Sequence, residues 1–255
     1  MDRIRAAAAN LADWHDCSLR ALGRSTRRTD ALWSCEDGPG IIYLMAISLG
    51  TCDGGERQSA EMEAFANRRA GEQIVVADTW DTLGLHEKGF SPSPYGAINE
   101  WFWRPAGPIA TTPAAPPGFL IEEVSDPAGL GDYERVSLRG FGSEERLGQL
   151  GPFGVHAVGI LDDPRMRIFV GRVNGEPVTG AMAYVSDDVV GIYDVATPPE
   201  HRRRGYGEAI TKAAIAAGQD VPAWLDPSDM ALPMYRRIGF EPIGRYTAWL
   251  RPDAE

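Results

Sequence analysis

Two rhythms of apolar and polar positions alternate along the second half of the chain. Phe119 to Val124 is a short apolar run of strand length, and Asp126-Pro127 then opens a segment where Leu130, Tyr133, Val136 and Leu138 recur near helical spacing. Arg167 to Val173 reads as a strand ending at Asn174-Gly175, a dipeptide suited to a two-residue hairpin because both positions tolerate positive φ. Pro177 to Val185 supplies the partner strand, Asp187-Asp188 the next turn, and Val189 to Val195 a third antiparallel strand. A Gly/Arg loop follows, then a helix from Tyr206 with Ile210, Ala213, Ala214 and Ala217 on one face. Ala223-Trp224-Leu225 is a short strand, Ser228 to Ile238 a helix and Tyr246 to Leu250 a terminal strand. The order β-α-(α)-β-β-β-α-β-α-β predicts an α+β fold with a mixed, mostly antiparallel sheet flanked by helices.

Arg104 to Gly118 holds five prolines among small residues and no charge after Arg104. Such a segment continues neither a helix nor a central strand, and it reads as an extended linker over 106–117. The chain then divides into a domain over 1–105 and a second over 118–255.

Composition removes several classes of function. The 255 residues carry 36 acidic and 25 basic side chains, a net charge of -11, with 44% hydrophobic and 24% charged residues. That is a folded, water-compatible composition. Its acidic excess opposes a nucleic-acid partner, whose phosphates call for clustered Lys and Arg, and favours a cationic small molecule. No apolar run reaches the ~20 residues of a membrane helix, and Asp13, His15 and Asp16 interrupt the start before a secretory core develops. The three cysteines, Cys17, Cys35 and Cys52, and the four histidines lack metal-ligand spacing, so no metal is expected. A cytoplasmic protein, monomer or homodimer, is the expectation.

The segment Asp194-Val-Ala-Thr-Pro-Pro-Glu-His-Arg-Arg-Arg-Gly-Tyr-Gly-Glu208 lies between a predicted strand and a predicted helix. Unpaired N–H groups at a helix start favour an anion. Gly205 and Gly207 lack a Cβ, so an anion can approach the main chain, and Arg202, Arg203 and Arg204 add positive charge. A diphosphate fits this loop; a solvated basic turn is the competing reading. The GxGxxG of a dinucleotide fold is absent, and the preceding strands form hairpins instead of βαβ crossovers.

Arg202-Arg-Arg-Gly205-Tyr-Gly207 resembles the Arg/Gln-x-x-Gly-x-Gly/Ala loop of the GCN5-related N-acetyltransferase (GNAT) family. Ala231-Leu-Pro-Met-Tyr235-Arg-Arg-Ile-Gly239-Phe240 resembles that family's second signature, a Tyr-bearing helix closing on Gly-Phe. The two occur in family order with a strand between them. The resemblance implies an acetyl-CoA-dependent N-acetyltransferase. In that reading Val195, Ala196 and Thr197 expose main-chain groups to the pantetheine arm and the thioester carbonyl. Arg202, Arg203, Arg204, Gly205, Tyr206 and Gly207 hold the diphosphate, with Glu208 starting the helix behind it, and Ser228 joins the cofactor-contacting set. Tyr235 becomes the acid for the departing thiolate, unless it is a packing tyrosine. Asp194, Asp226 and His156 are alternative proton acceptors that spacing does not separate, with Asp194 placed in the catalytic set and Asp226 doubling as a helix cap. All cysteines precede the linker, which opposes an acyl-cysteine route.

Residues 1–105 echo the second half weakly. Ile74 to Trp80, Leu83-Gly-Leu-His86-Glu-Lys-Gly89-Phe90 and Trp101-Phe-Trp-Arg104-Pro105 parallel Ala223 to Asp226, Tyr235 to Phe240 and Ala248-Trp-Leu-Arg251-Pro252. This predicts two GNAT-like halves in tandem, the first degenerate, with His86 in the place of Tyr235; an unrelated α/β module is the competing reading. Trp33, Tyr43, Trp80, Trp101 and Trp103 are expected in the core. Two other functions fit the same motifs: an acyl-CoA-binding regulatory protein without turnover, and a tandem synthase acetylating a thiol cofactor precursor.

Overall fold

The Asp2 carboxylate accepts hydrogen bonds from the N–H groups of Ile4 and Arg5 and so starts the first helix. In chain order the elements are α1 (Arg3–Ala21), β1 (Thr26–Arg28), β2 (Leu32–Cys35), β3 (Ala46–Ser48), α2 (Gly55–Arg68), β4 (Ile74–Asp78), β5 (Ser91–Pro92), β6 (Ile98–Arg104), β7 (Phe119–Glu123), α3 (Pro127–Gly140), α4 (Glu145–Leu150), β8 (Met166–Val173), β9 (Glu176–Val185), β10 (Val190–Ala196), α5 (Tyr206–Ala216), β11 (Ala223–Leu225), α6 (Leu232–Ile238) and β12 (Glu241–Arg251). The structure, a computed structural model, describes residues 2–38, 43–53, 55–94, 96, 98–109 and 117–253. Two units result: Met1–Phe102 with Pro242–Glu255, and Trp103–Glu241.

In the second unit the sheet order is β11-β10-β9-β8-β7. The β8/β9 hairpin turns at Asn174 and Gly175, both at positive φ, and pairs Met166 with Tyr184 through Val173 with Glu176. Strands β9 and β10 are antiparallel, whereas β10 and β11 are parallel. Asp126 caps α3 through the Gly129 N–H. Leu130, Tyr133 and Val136 of α3 and Ile210, Ala214 and Ile215 of α5 are buried, and both helices pack on β9. Each fully buried Leu, Ile or Val among them contributes about 1.5–3 kcal/mol of transfer free energy.

The first unit repeats this connectivity. β1/β2 and β2/β3 are antiparallel, β3/β4 is parallel, and α2 connects β3 to β4 as α5 connects β10 to β11. The same succession of strand senses appears twice in one chain, as the tandem expectation requires. Trp33, Tyr43, Trp101 and Trp103 are buried and Trp80 is half-buried.

The boundaries differ from those expected. The last strand does not close the sheet of residues 118–241; β12 belongs to the first unit, where Thr247 to Arg251 pair antiparallel with Asp78 to Ile74. Its alternating pattern specifies a strand, and only the tertiary structure chooses the neighbour. Of the expected linker 106–117, residues 110–116 lie outside the described residues. Residues 106–109 run without helix or strand, and the Gly107 and Pro108 carbonyls accept hydrogen bonds from Arg104.

Candidate active site

β10 and β11 pair only at Val190–Ala223 and Gly191–Trp224. β11 ends at Leu225 while β10 continues to Ala196, so the last main-chain groups of β10 run past the end of that ladder. On its other edge the β9/β10 register shifts between Tyr193 and Ala196, a bulge with Asp194 at φ 47. A non-glycine residue in this left-handed region costs about 1–2 kcal/mol, so neighbouring contacts must hold it. The Tyr133 hydroxyl donates to the Asp194 carbonyl at 3.2 Å, and the Thr179 hydroxyl donates to the Ala196 carbonyl at 2.9 Å. The Thr179 and Thr197 hydroxyls are also 2.9 Å apart. Helix α3 reaches the bulge because Gly140 has no side chain; a Cβ there would sit 2.7 Å from the Ala196 Cβ.

The basic loop starts where β10 ends. Arg202 donates from Nε to the Thr197 carbonyl at 2.9 Å and from Nη2 to the Gly140 carbonyl at 2.7 Å. That places a cation on the C-terminal carbonyls of α3, where the helix dipole favours it. Arg202 therefore fastens the loop to α3. Arg203 is exposed at φ 62, and Arg204 donates to the Glu200 carbonyl at 3.1 Å. Gly205, at φ 83 with open space around its α-carbon, is the N-cap of α5 and offers no side-chain cap. The first main-chain bond of α5 runs from the Ala209 N–H to the Gly205 carbonyl, so the N–H groups of residues 205–208 lie beyond the helical ladder. Left-handed backbone at Arg203 and Gly205 turns successive N–H groups toward a concavity of the kind that binds anions.

Bulge and helix start are adjacent. A Cβ on Gly207 would lie 3.5 Å from Thr197 Oγ1 and 3.8 Å from Met234 Sδ, so the end of β10, the first turn of α5 and α6 meet at one place. The side chains of Tyr206 and Glu208 face elsewhere. The Tyr206 ring stacks on Phe119 with centroids 4.8 Å apart and joins Val178 in a buried cluster. Glu208 accepts from Lys212 at 2.9 Å and Arg237 at 3.2 Å, tying α5 to α6, and the Lys212 hydrogen bond holds its carboxyl below the usual range. Only the main chain of these two residues is placed for a ligand.

Helix α6 begins at Leu232 instead of Ser228, with Pro233 in its first turn, where proline's fixed φ and missing N–H are compatible with a helix. Its N-cap, Ala231, makes no side-chain cap bond, so Asp226 is not the cap; exposed Ser228 accepts from the Ala231 and Leu232 N–H groups through its carbonyl. Tyr235 is buried and meets Phe240 edge-on. Burial and the charge of Asp226 push its phenol well above the usual value, so it stays protonated. Gly239, at φ 100, ends the helix, with the Phe240 N–H bonded to the Tyr235 carbonyl. Gly89 at φ 82 ends the 3-10 turn Leu85–Lys88 in the same way, and the Phe90 N–H bonds to the Leu85 carbonyl. Buried Leu85, and not exposed His86, is thus the counterpart of Tyr235.

Asp194 Oδ2 lies 3.7 Å from His156 Nε2. Burial raises the Asp194 carboxyl to about 6, with 28% of its side chain still reaching solvent to limit the rise, and lowers the buried His156 imidazole to about 4. At neutral pH the pair is a carboxylate beside a neutral ring, with a proton affinity suited to general-base chemistry. Asp226 is exposed and contributes its charge to Tyr235.

The first unit closes the corresponding place. The Thr79 hydroxyl donates to the Ser48 carbonyl at 2.6 Å, its N–H donates to Ser48 Oγ at 2.9 Å, and the Trp80 indole donates to the Gly50 carbonyl at 3.0 Å, joining the ends of β3 and β4. Gln58 accepts from the Gly50 N–H and donates to the Thr51 carbonyl. The loop before α2 is thus filled by its own side chains and has no arginine.

A mixed sheet whose bulged strand ends beside an open helix N-terminus and a tyrosine-bearing helix is the arrangement of a GNAT-type fold. Residues 140–240 match the sequence model of the Acetyltransferase (GNAT) family. The fold is similar to a GCN5-related N-acetyltransferase from Kribbella flavida, at 20% identity and TM-score 0.64 over 95% of this chain and 96% of that one. A GNAT-family protein from Novosphingobium aromaticivorans DSM 12444 aligns at 16% identity and TM-score 0.54 over 93% and 97%. A functionally unknown conserved protein from Staphylococcus epidermidis ATCC 12228 aligns at 16% identity and TM-score 0.53 over 89% and 93%. No curated protein matches the chain. Among the described residues no helix is long and apolar enough to cross a membrane, and no His, Cys, Asp and Glu cluster suited to a metal occurs.

The structure brings together Asp194, His156, Val195 to Thr197, Gly205 and Gly207. Tyr133 and Glu134 were not singled out from the sequence, because the apolar periodicity of α3 reads Tyr133 as core and gives a lone acid beside it no distinction. A charged residue flanked by the buried positions Tyr133 and Val136 was the available signal.

Proposed function

We propose that the chain is an acetyl-CoA-dependent N-acetyltransferase that transfers the acetyl group to a primary amine of a small molecule, or to a peptide N-terminus, by direct attack in a ternary complex. One observation carries this reading: the bulged end of β10 lies beside the uncapped N-terminus of α5, with Arg203 exposed and Gly205 in left-handed backbone. The N–H groups of residues 205–208 and the Arg203 and Arg204 charges suit a diphosphate, with Arg202 holding the loop in place. Acetyl-CoA, when bound, supplies the activated acetyl thioester.

The remaining roles belong to the chain. Main-chain N–H groups at Val195 to Thr197 polarise the carbonyl undergoing attack. Asp194 accepts the amine proton as the C–N bond forms, and the C–S bond breaks with the Tyr235 hydroxyl donating toward the departing sulfur. Cys17, Cys35 and Cys52 all lie in the first unit, so no thiol of Trp103–Glu241 is available for an acyl-enzyme. The acidic net charge fits a cationic acceptor, and the protein is assigned to the cytoplasm.

The test is calorimetric titration of the full chain with acetyl-CoA, followed by a panel of amines assayed for CoA release. Binding is expected, with loss on Gly205→Val; unchanged binding in that variant refutes the diphosphate site. Binding without CoA release from any amine supports a regulatory acyl-CoA binder. The repeated connectivity of the two units gives a third reading, a tandem synthase acetylating a thiol precursor, and thiol acceptors in the panel distinguish it.

A further inference from the structure

Two consecutive residues of α3 grip Asp194 by separate routes. Tyr133, fully buried, donates its hydroxyl directly to the Asp194 carbonyl. Glu134, 1% exposed, faces the loop after α4: its Oε2 accepts from the Phe153 N–H at 2.8 Å, and its Oε1 accepts from the N–H groups of Val155 at 3.0 Å and His156 at 3.1 Å. Three main-chain donors on one buried carboxylate make a fixed loop, and they hold Phe153 at φ 61. The loop ends at His156, 1% exposed, whose Nε2 faces Asp194 Oδ2 at 3.7 Å and whose ring lies 5.4 Å from the Tyr133 ring. A buried carboxylate and a buried imidazole are costly unless each is fully engaged, and an apolar pair would fill the space at lower desolvation cost.

We infer that Glu134 and His156 are positioning residues for the Asp194 carboxylate: Glu134 fixes the 153–156 loop, and the loop packs the His156 ring beside the Asp194 carboxylate at 3.7 Å, limiting where that carboxylate points toward the acceptor amine. This rests on the reading of Asp194 as proton acceptor. Beside Asp194, the Tyr133 hydroxyl of α3 bonds its main-chain carbonyl and the His156 ring of the loop lies next to its carboxylate, while Glu134 is engaged by the loop itself.

The test uses the full chain and the variants His156→Phe, His156→Gln and Glu134→Gln, with three readouts. Acetyl-CoA affinity by calorimetry is expected to stay within twofold of the parent. CoA release with spermidine, tyramine and glycinamide as probes is expected to fall about tenfold to a hundredfold in kcat/KM for His156→Phe, the scale of a misplaced catalytic group. The midpoint of the Asp194 carboxyl, read by carbon NMR on 13C-aspartate protein, is expected to move upward by about 0.5–1 unit in His156→Phe, because a polar ring beside the ionised form is replaced by an apolar one. His156→Gln, which keeps a polar group beside the carboxylate, is expected to restore the midpoint and most of the rate. Glu134→Gln is expected to reproduce the upward shift with the loop loosened. An unchanged or lowered midpoint in His156→Phe overturns the inference even if no probe amine turns over. Failure of the parent to bind acetyl-CoA overturns the acetyltransferase reading instead and leaves the carboxyl measurement to decide this one.

Discussion

Gly205→Ala separates backbone conformation from side-chain contact at the proposed diphosphate loop. The added Cβ meets nothing within 4 Å, so no steric clash follows, but Gly205 has φ 83. An L-residue held there costs about 1–2 kcal/mol. At roughly 2–4 °C per kcal/mol for a chain of this size, the melting temperature should fall by about 2–8 °C. Relaxation to negative φ would rotate the N–H groups of residues 205–207 off their common direction. Loss of one charge-assisted hydrogen bond to a diphosphate is about 1.5–3 kcal/mol, or roughly 10- to 150-fold in Kd. Gly142 provides the control, with φ 69 and likewise nothing within 4 Å. Gly142→Ala should show a similar drop in melting temperature and unchanged affinity. The assay is calorimetric titration with acetyl-CoA beside thermal unfolding. If Gly205→Ala binds as tightly as the parent while both variants melt alike, the N–H groups at the start of α5 do not hold the diphosphate.

Asp194→Asn should abolish the acidic limb near pH 6 and lower kcat by about a hundredfold or more in a pH-rate profile. A raised carboxyl stabilises the fold below its unfolded value and loses that contribution as pH rises from about 4 to about 6, so the same variant should be about 1–2 kcal/mol more stable than the parent at pH 8, after allowance for its solvent-facing edge, in urea unfolding. Tyr235→Phe should slow CoA release while leaving acetyl-CoA affinity within about threefold; a rate equal to the parent's removes Tyr235 as the acid. His15, buried with its imidazole lowered to about 4 and Nδ1 2.8 Å from the Leu11 carbonyl, adds stability that is lost as pH falls from 6.5 toward 4. His15→Phe should therefore flatten the decline in melting temperature over that window. Alkylation of exposed Cys52 should leave turnover unchanged, and a proportional loss would reopen a thiol route.

Much of the second unit was legible because its signals are local. Asn174-Gly175 turns a hairpin through its own φ preferences, Asp126 caps α3 within three residues, and Arg202 to Gly207 marks the junction between β10 and α5. The start of α6 was placed four residues early, at Ser228 with Asp226 as its cap, whereas Pro233 sets the first turn. The repeat was legible at Gly89-Phe90 and Gly239-Phe240, but its register was off by one, because hydrogen bonding to the residue five earlier selects Leu85.

Sequence alone determined the element types, the Arg/Gly loop between strand and helix and the echo of one half in the other, since each depends on preferences acting over a few neighbouring residues. Tertiary structure decided the partner of β12, the use of Arg202 as a clasp on Gly140, and the meeting of Glu134, His156 and Asp194. These link positions from 22 to more than 150 residues apart. A periodic pattern states that a face will be buried, but only packing settles against which distant segment it is buried, and the chemistry of Asp194 depends on that choice.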